Sequence, residues 1–181
     1  ALVDLKRLDE ANAELAQLNV ESPYEPRAAY FRGLLLSEAG ETEAARLEYV
    51  KCTEVIASMP KAKVASDPQF LMVAALAHRA LKQRESVRTY LGMYLKKIPA
   101  DVGAHRLLAD VLLGQGEPEE VIKLLNNVRS LTESDASLLA ILAAAHSQSG
   151  RHDKATRLLE KALDKGSNLY IETQLAKSLL R

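Results

Sequence analysis

The stretch Ala136–Lys165, ASLLAILAAAHSQSGRHDKATRLLEKALDK, decides the fold. From Ala136 to Gln148 apolar side chains recur on the helical period, and from Asp153 to Lys165 they do so again. Between the two runs lies Ser149-Gly150. A glycine at that point predicts a helix stopped by a left-handed residue, a conformation glycine adopts without a Cβ penalty. Two helices joined by so short a turn pack as an antiparallel hairpin.

Working outward, the landmarks of this hairpin repeat. Thirty-four residues before Gly150 stands Gly116, another 34 lead to Lys82, and 42 more to Gly40, each between two helical patterns. Small residues fall near the middle of each first helix, at Gly33, Ala75, Ala109 and Ala143. In the second helices a small-to-medium position recurs as Ala11, Ala45, Val87, Val121 and Ala155. It is followed four residues later by Leu15, Tyr49, Leu91, Leu125 and Leu159, and three later again by Leu18, Cys52, Tyr94, Val128 and Ala162. Two antiparallel helices approach closely only where small side chains meet, and larger ones fill the space where the axes diverge. One hairpin cannot bury its whole apolar face, so consecutive hairpins stack into a continuous core.

The register gives half a repeat at 1–24, full repeats at 26–58, 68–100, 102–134 and 136–168, and half a repeat at 169–181, all in one solenoid over residues 1–181. Beginning and ending mid-repeat, the sequence reads as a piece of a longer solenoid whose open apolar ends could stack between copies. Pro23 and Pro99 close second helices, while Asp67-Pro68 and Glu117-Pro118 place proline in a first helical turn, where its missing N–H is not needed. The 42-residue step inserts about eight residues near 59–66. Pro60 predicts a lengthened second helix ending there, followed by a loop. Lys82 in place of the turn glycine predicts a turn that is either strained by about 1 kcal/mol or differently shaped.

Helix pairs of this length with this Gly/Ala, aromatic-or-Leu, Ala and Pro arrangement resemble tetratricopeptide (TPR) repeats. The resemblance implies an all-α, right-handed superhelix of antiparallel helix pairs. It also implies a scaffold whose first helices line a concave groove. By register the groove residues are Arg27, Tyr30 and Leu34, then Gln69, Met72, Leu76 and Arg79, then Arg106 and Asp110, then Ser137, Ala140 and Ala144. The carboxylate clamp of chaperone-binding TPR domains uses Lys, Asn and Arg. The matching positions here are Tyr30, Leu34, Val73, Gly103 and Leu107, none of which supplies a charge-assisted bond to a carboxylate. An apolar and aromatic groove instead suits an amphipathic helix or an extended segment.

A narrower resemblance rests on Tyr90–Pro99, running on to His105–Leu113, and on Ala144–Gly150 followed by Lys161–Leu163. These stretches look like repeats of the TPR lipoproteins of the bacterial PEP-CTERM system, associated with exosortase sorting and exopolysaccharide. The implied place is the periplasmic side of the envelope, with the anchoring cysteine outside this segment. The alternative is a peptide- or ligand-sensing module of a larger cytoplasmic regulator.

Other classes lack support in the residues. Lys and Arg equal Asp and Glu at 24 each among 181 residues, so no overall positive surface favours nucleic acid. The cluster His78, Arg79, Lys82, Arg84 and Arg88 reads as a solvated helix rim. No apolar run reaches the length of a membrane span, so no membrane insertion by this segment is expected. His78, His105 and His146 fall in packing columns, never two on one helix at ligand spacing, and His152 in a turn where it should be solvated; no metal or other cofactor is expected. Cys52, the single cysteine, reads as a core residue. No nucleophile elbow, phosphate loop or carboxylate pair argues for an enzyme.

Overall fold

The computed structural model describes residues 25–166, and among them the regular structure is helical throughout. The order is α1 (Pro26–Glu38), α2 (Thr42–Ser58), α3 (Lys61–Ser66), α4 (Pro68–Ala80) and α5 (Arg84–Leu95). It continues with α6 (Val102–Gly114), α7 (Pro118–Asn127), α8 (Arg129–Ser134), α9 (Ala136–Gln148) and α10 (His152–Lys165). The half repeats at 1–24 and 169–181, with Ala11, Leu15, Leu18 and Pro23, lie outside the described residues. The chain divides between Tyr94 and Leu95 into two compact units.

In the first unit α1 packs on α2, and α4 packs on both. The column residues Ala45, Tyr49 and Cys52 are buried, as are Ala75, Val87 and Leu91. Helix starts follow their caps. Glu25 accepts the Arg27 N–H and Asp67 that of Gln69, each one residue before a proline at the first helical position.

The turns share one hydrogen-bond pattern. Residues 40, 82, 116 and 150 all have positive φ, at 81°, 58°, 76° and 74°. The N–H of the residue after each donates to the carbonyl five residues before it, as in Glu41 to Leu36 (2.9 Å) and Arg151 to His146 (2.8 Å). This is the Schellman closure of a helix. Lys82 therefore adopts the strained alternative: Gln83 N–H reaches His78 O at 2.9 Å, as at the glycine turns.

The insertion departs from expectation. The second helix is lengthened, since α2 has 17 residues against 13 in α1. It ends because Pro60 forces Met59 into an extended conformation (φ −76°, ψ 153°). The chain then enters the short helix α3 instead of a loop. Val64 gives α3 a reason to fold, being buried where α3 packs on α4. Lys63 Nζ also lies 5.9 Å from the Phe70 ring centroid.

In the second unit α6, α7 and α9 pack together, and α10 packs on α9. Leu139, Ala140, Ala143, Ala155, Leu159 and Ala162 form one cluster. A second departure falls here. Val128, expected inside a helix column, is instead the joint between α7 and α8 (φ −119°, ψ 45°) and is only half-buried. Asn126-Asn127 and a β-branched Val are weak helix formers. The break leaves the Leu125 carbonyl without its helical donor, and the buried Thr132 hydroxyl supplies one at 2.8 Å.

Candidate functional site

Each unit presents a face of first helices. In the first unit, α1 and α4 lie side by side, and their N-terminal ends are joined through Arg27 and Gln69, whose guanidinium donates to the amide oxygen at 2.8 Å. Arg27 also forms a two-point pair with Glu25, at 2.8 and 2.9 Å. The Arg27 hydrogen bond holds the Glu25 carboxyl below the usual range. This end of the face is thus electrically balanced.

Past it the face is apolar. Tyr30, Leu34, Met72 and Leu76 are each half-buried, with part of every side chain open. Tyr30 is a structural residue as well, its ring centroid 5.9 Å from that of Tyr49 on α2. Burial pushes its phenol upward, while the nearby Arg79 charge pulls it down. The aromatic surface is larger than the register implies. Phe31 is 48% exposed and meets Tyr30 edge-on at 5.6 Å. Its position directly after Tyr30 is the available signal, which a register granting the groove one residue per turn leaves out. Arg79, on the last turn of α4, is exposed.

In the second unit Arg106 and Asp110 are exposed on α6, and Ser137 and Ala144 are half-buried on α9. Ala140 is a correction. It is fully buried within the α9–α10 cluster and so lines no accessible groove. The cause is composition: α9 is apolar all round its circumference, so more of its surface packs inward. Val73, at a clamp position, is also buried. Sequence reading could not anticipate the Glu119 contacts, because its partners lie 30 and 32 residues away. The Glu119 carboxylate accepts from the Ser149 hydroxyl at 2.9 Å and from Arg151 at 2.7 Å, tying α7 to the α9–α10 turn.

The remaining chemically able side chains are held by packing. Cys52 is fully buried, and burial pushes its thiol up to about 12. His105 is buried with Nε2 on the Pro99 carbonyl at 2.9 Å. His78 is bonded through Nδ1 to the Gln83 amide oxygen and stacks on Tyr90. His146 is buried with neither ring nitrogen partnered. His152, expected in solvent, is instead half-buried at the start of α10, with Nδ1 unpartnered. No described helix is long and apolar enough to cross a membrane.

No family model and no curated protein matches the sequence. Solved structures do match in fold. The TPR protein YrrB, described as having an unusual peptide-binding site, aligns with a TM-score of 0.69 at 16% identity, over 96% of this chain and 85% of its own. TTC0263 of Thermus thermophilus, a thermophilic TPR protein, gives 0.64 at 21% identity over 98% and 93%. MamA gives 0.64 at 16% identity over 94% and 85%. With the small-residue crossings, the glycine-type turns and the two-helix period, these similarities show that the chain has the fold of the tetratricopeptide-repeat proteins.

Proposed function

We propose that this chain is a protein-interaction scaffold that seats a partner segment along α1 and α4. The observation that carries this reading is the row of partly open apolar side chains on two adjacent first helices: Tyr30, Phe31, Leu34, Met72 and Leu76. Monomeric surfaces seldom leave aromatic and aliphatic groups together in the open without a partner to cover them. An amphipathic helix or an extended segment could lay alternate side chains along such a face. The similarity in fold to YrrB, described as having a peptide-binding site, supports the same mode. The buried state of Cys52, His105 and His146 argues against a reaction centre at those residues.

The test is site-specific cross-linking. A photoreactive residue placed at Phe31 or Leu76 should capture one partner in the native cell, and the same residue at Leu47, exposed on α2, should not. Capture from Leu47 alone would reject the face. For cellular context, the likeness of Tyr90–Pro99 and His105–Leu113 to PEP-CTERM-system repeats supports a place in bacterial exopolysaccharide or sorting machinery, on the periplasmic side. Fractionation of the native protein checks this, and recovery in the cytoplasm would favour the regulatory alternative.

A further inference from the structure

Outside the apolar row stand the Glu119–Ser149–Arg151 link, the unpartnered His146 and a single arginine at the far end of the row. The arginine reaches furthest. We infer that the segment seated on α1 and α4 is acidic as well as apolar, with a carboxylate held by Arg79; this rests on the interaction proposed for that face.

Charge balance along the face carries the inference. The arginines nearest its start are already answered. Arg27 pairs with Glu25 and also feels Asp67, and Arg32 pairs with Glu48 at 2.9 Å. On α2, Arg46 pairs with Glu43. Arg79 differs, having no carboxylate partner among the described residues while standing exposed at the other end. On its own helix it follows Met72 by seven residues and Leu76 by three, so it stands on the same side of α4 as the apolar row. An exposed cation in line with an apolar strip matches a segment in which Asp or Glu lies close to aliphatic or aromatic residues. Arginine holds a carboxylate through two parallel N–H donors, and that bond strengthens where apolar groups exclude water. The site differs from the carboxylate clamp in position and residue type, and it asks for a side-chain carboxylate anywhere in the segment.

A favourable contact between Arg79 and the C-terminal end of α4 is a sufficient structural reason for an arginine there. That role predicts a change in stability and none in ligand choice, so the two separate in one experiment. A phage-displayed library of random linear peptides is selected on the full chain, and the enriched peptides are synthesised and measured by fluorescence anisotropy. The expected enrichment is an Asp or Glu beside a pair of apolar residues. Changing that residue to its amide should weaken binding about tenfold, an effect lost in Arg79→Ala and partly kept in Arg79→Lys. Selection on Arg79→Glu should enrich Lys or Arg at the same place. Peptides that fail on Phe31→Asp and Met72→Asp yet ignore both the amide change and Arg79→Glu would overturn the acidic inference and leave the face standing. Peptides unaffected by Phe31→Asp and Met72→Asp, or no enrichment at all, would overturn both. Thermal melts of every variant identify any loss that comes from unfolding.

Discussion

Replacing Gly33 by alanine sets two opposed effects against each other at one atom. Alanine favours the middle of a helix over glycine by about 1 kcal/mol, so propensity alone predicts a more stable protein. A Cβ at Gly33 would stand 2.7 Å, 2.8 Å and 3.1 Å from Cε1, Cδ1 and Cζ of Tyr49. Ordinary carbon contacts are about 3.5–4.0 Å, so the ring must retreat by roughly 1 Å. It has little room, being 7% exposed and packed on Tyr30. Overpacking of this kind costs about 1–3 kcal/mol, so we expect a net loss of about 1 kcal/mol. The other three hairpins carry Ala75 with Leu91, Ala109 with Leu125 and Ala143 with Leu159 at the same two positions. Tyr49→Leu alone should therefore leave a cavity costing about 2 kcal/mol, and Gly33→Ala in that background should recover part of it. Urea unfolding followed by far-UV circular dichroism, run on both single variants and the double, measures the coupling, expected at about 1–2 kcal/mol. Additive losses, or a Gly33→Ala variant more stable than the parent, would refute the steric account of this crossing.

Lys82→Gly should stabilise the chain by about 0.5–1 kcal/mol. It removes a left-handed strain of about 1–2 kcal/mol and adds back about 0.4–1 kcal/mol of unfolded-state freedom. An unchanged urea midpoint would mean that the Lys82 turn carries no strain. Burial, followed by the charges of Lys154 and Arg151, lowers the pKa of His146, with Glu119 acting in the opposite sense. Its folded value lies below its unfolded one, so the stability it allows is complete above about pH 6.5 and is lost as pH falls toward the folded value. The melting temperature should drop between about pH 7.5 and pH 5, and His146→Tyr should flatten that slope; an equal slope in the variant would contradict the assignment. Thr132→Val should cost about 1–3 kcal/mol by leaving the Leu125 carbonyl without a donor, and a melt matching the parent's would show that carbonyl satisfied some other way.

The hairpin architecture was legible because it is written in side-chain size at fixed spacing. Gly33, Ala75, Ala109 and Ala143 with their large partners define the crossings whatever the intervening residues are. Register placed Lys82 at the turn but left open whether that turn would be strained or differently shaped; its φ of 58° decides for strain. Local competition was harder to read. Nothing in Asn126-Asn127-Val128 says that α7 must end there, because its helix propensity is only slightly weak. The break is stabilised by a hydroxyl seven residues beyond the carbonyl it serves. Likewise α3 folds because Val64 finds cover on α4, which a six-residue segment read alone does not reveal. For the candidate face, register named Tyr30, Leu34, Met72 and Leu76, which are half-buried on α1 and α4. It passed over the exposed Phe31 and put the buried Ala140 in the open, because the arc a helix leaves open depends on what packs beside it.

The eight residues that lengthen one hairpin end as α3 have a further implication. They enter between two crossings, so neither Gly33–Tyr49 nor Ala75–Leu91 loses its spacing of 16 residues. Growth or loss of chain at such a joint leaves every packing contact at the crossings untouched, whereas the same change inside a hairpin would rotate one helix off its partner. The architecture therefore tolerates a ruler with unequal divisions. Descendants of one ancestral solenoid can drift in period until a strict count no longer recognises them, while their cores go on fitting together.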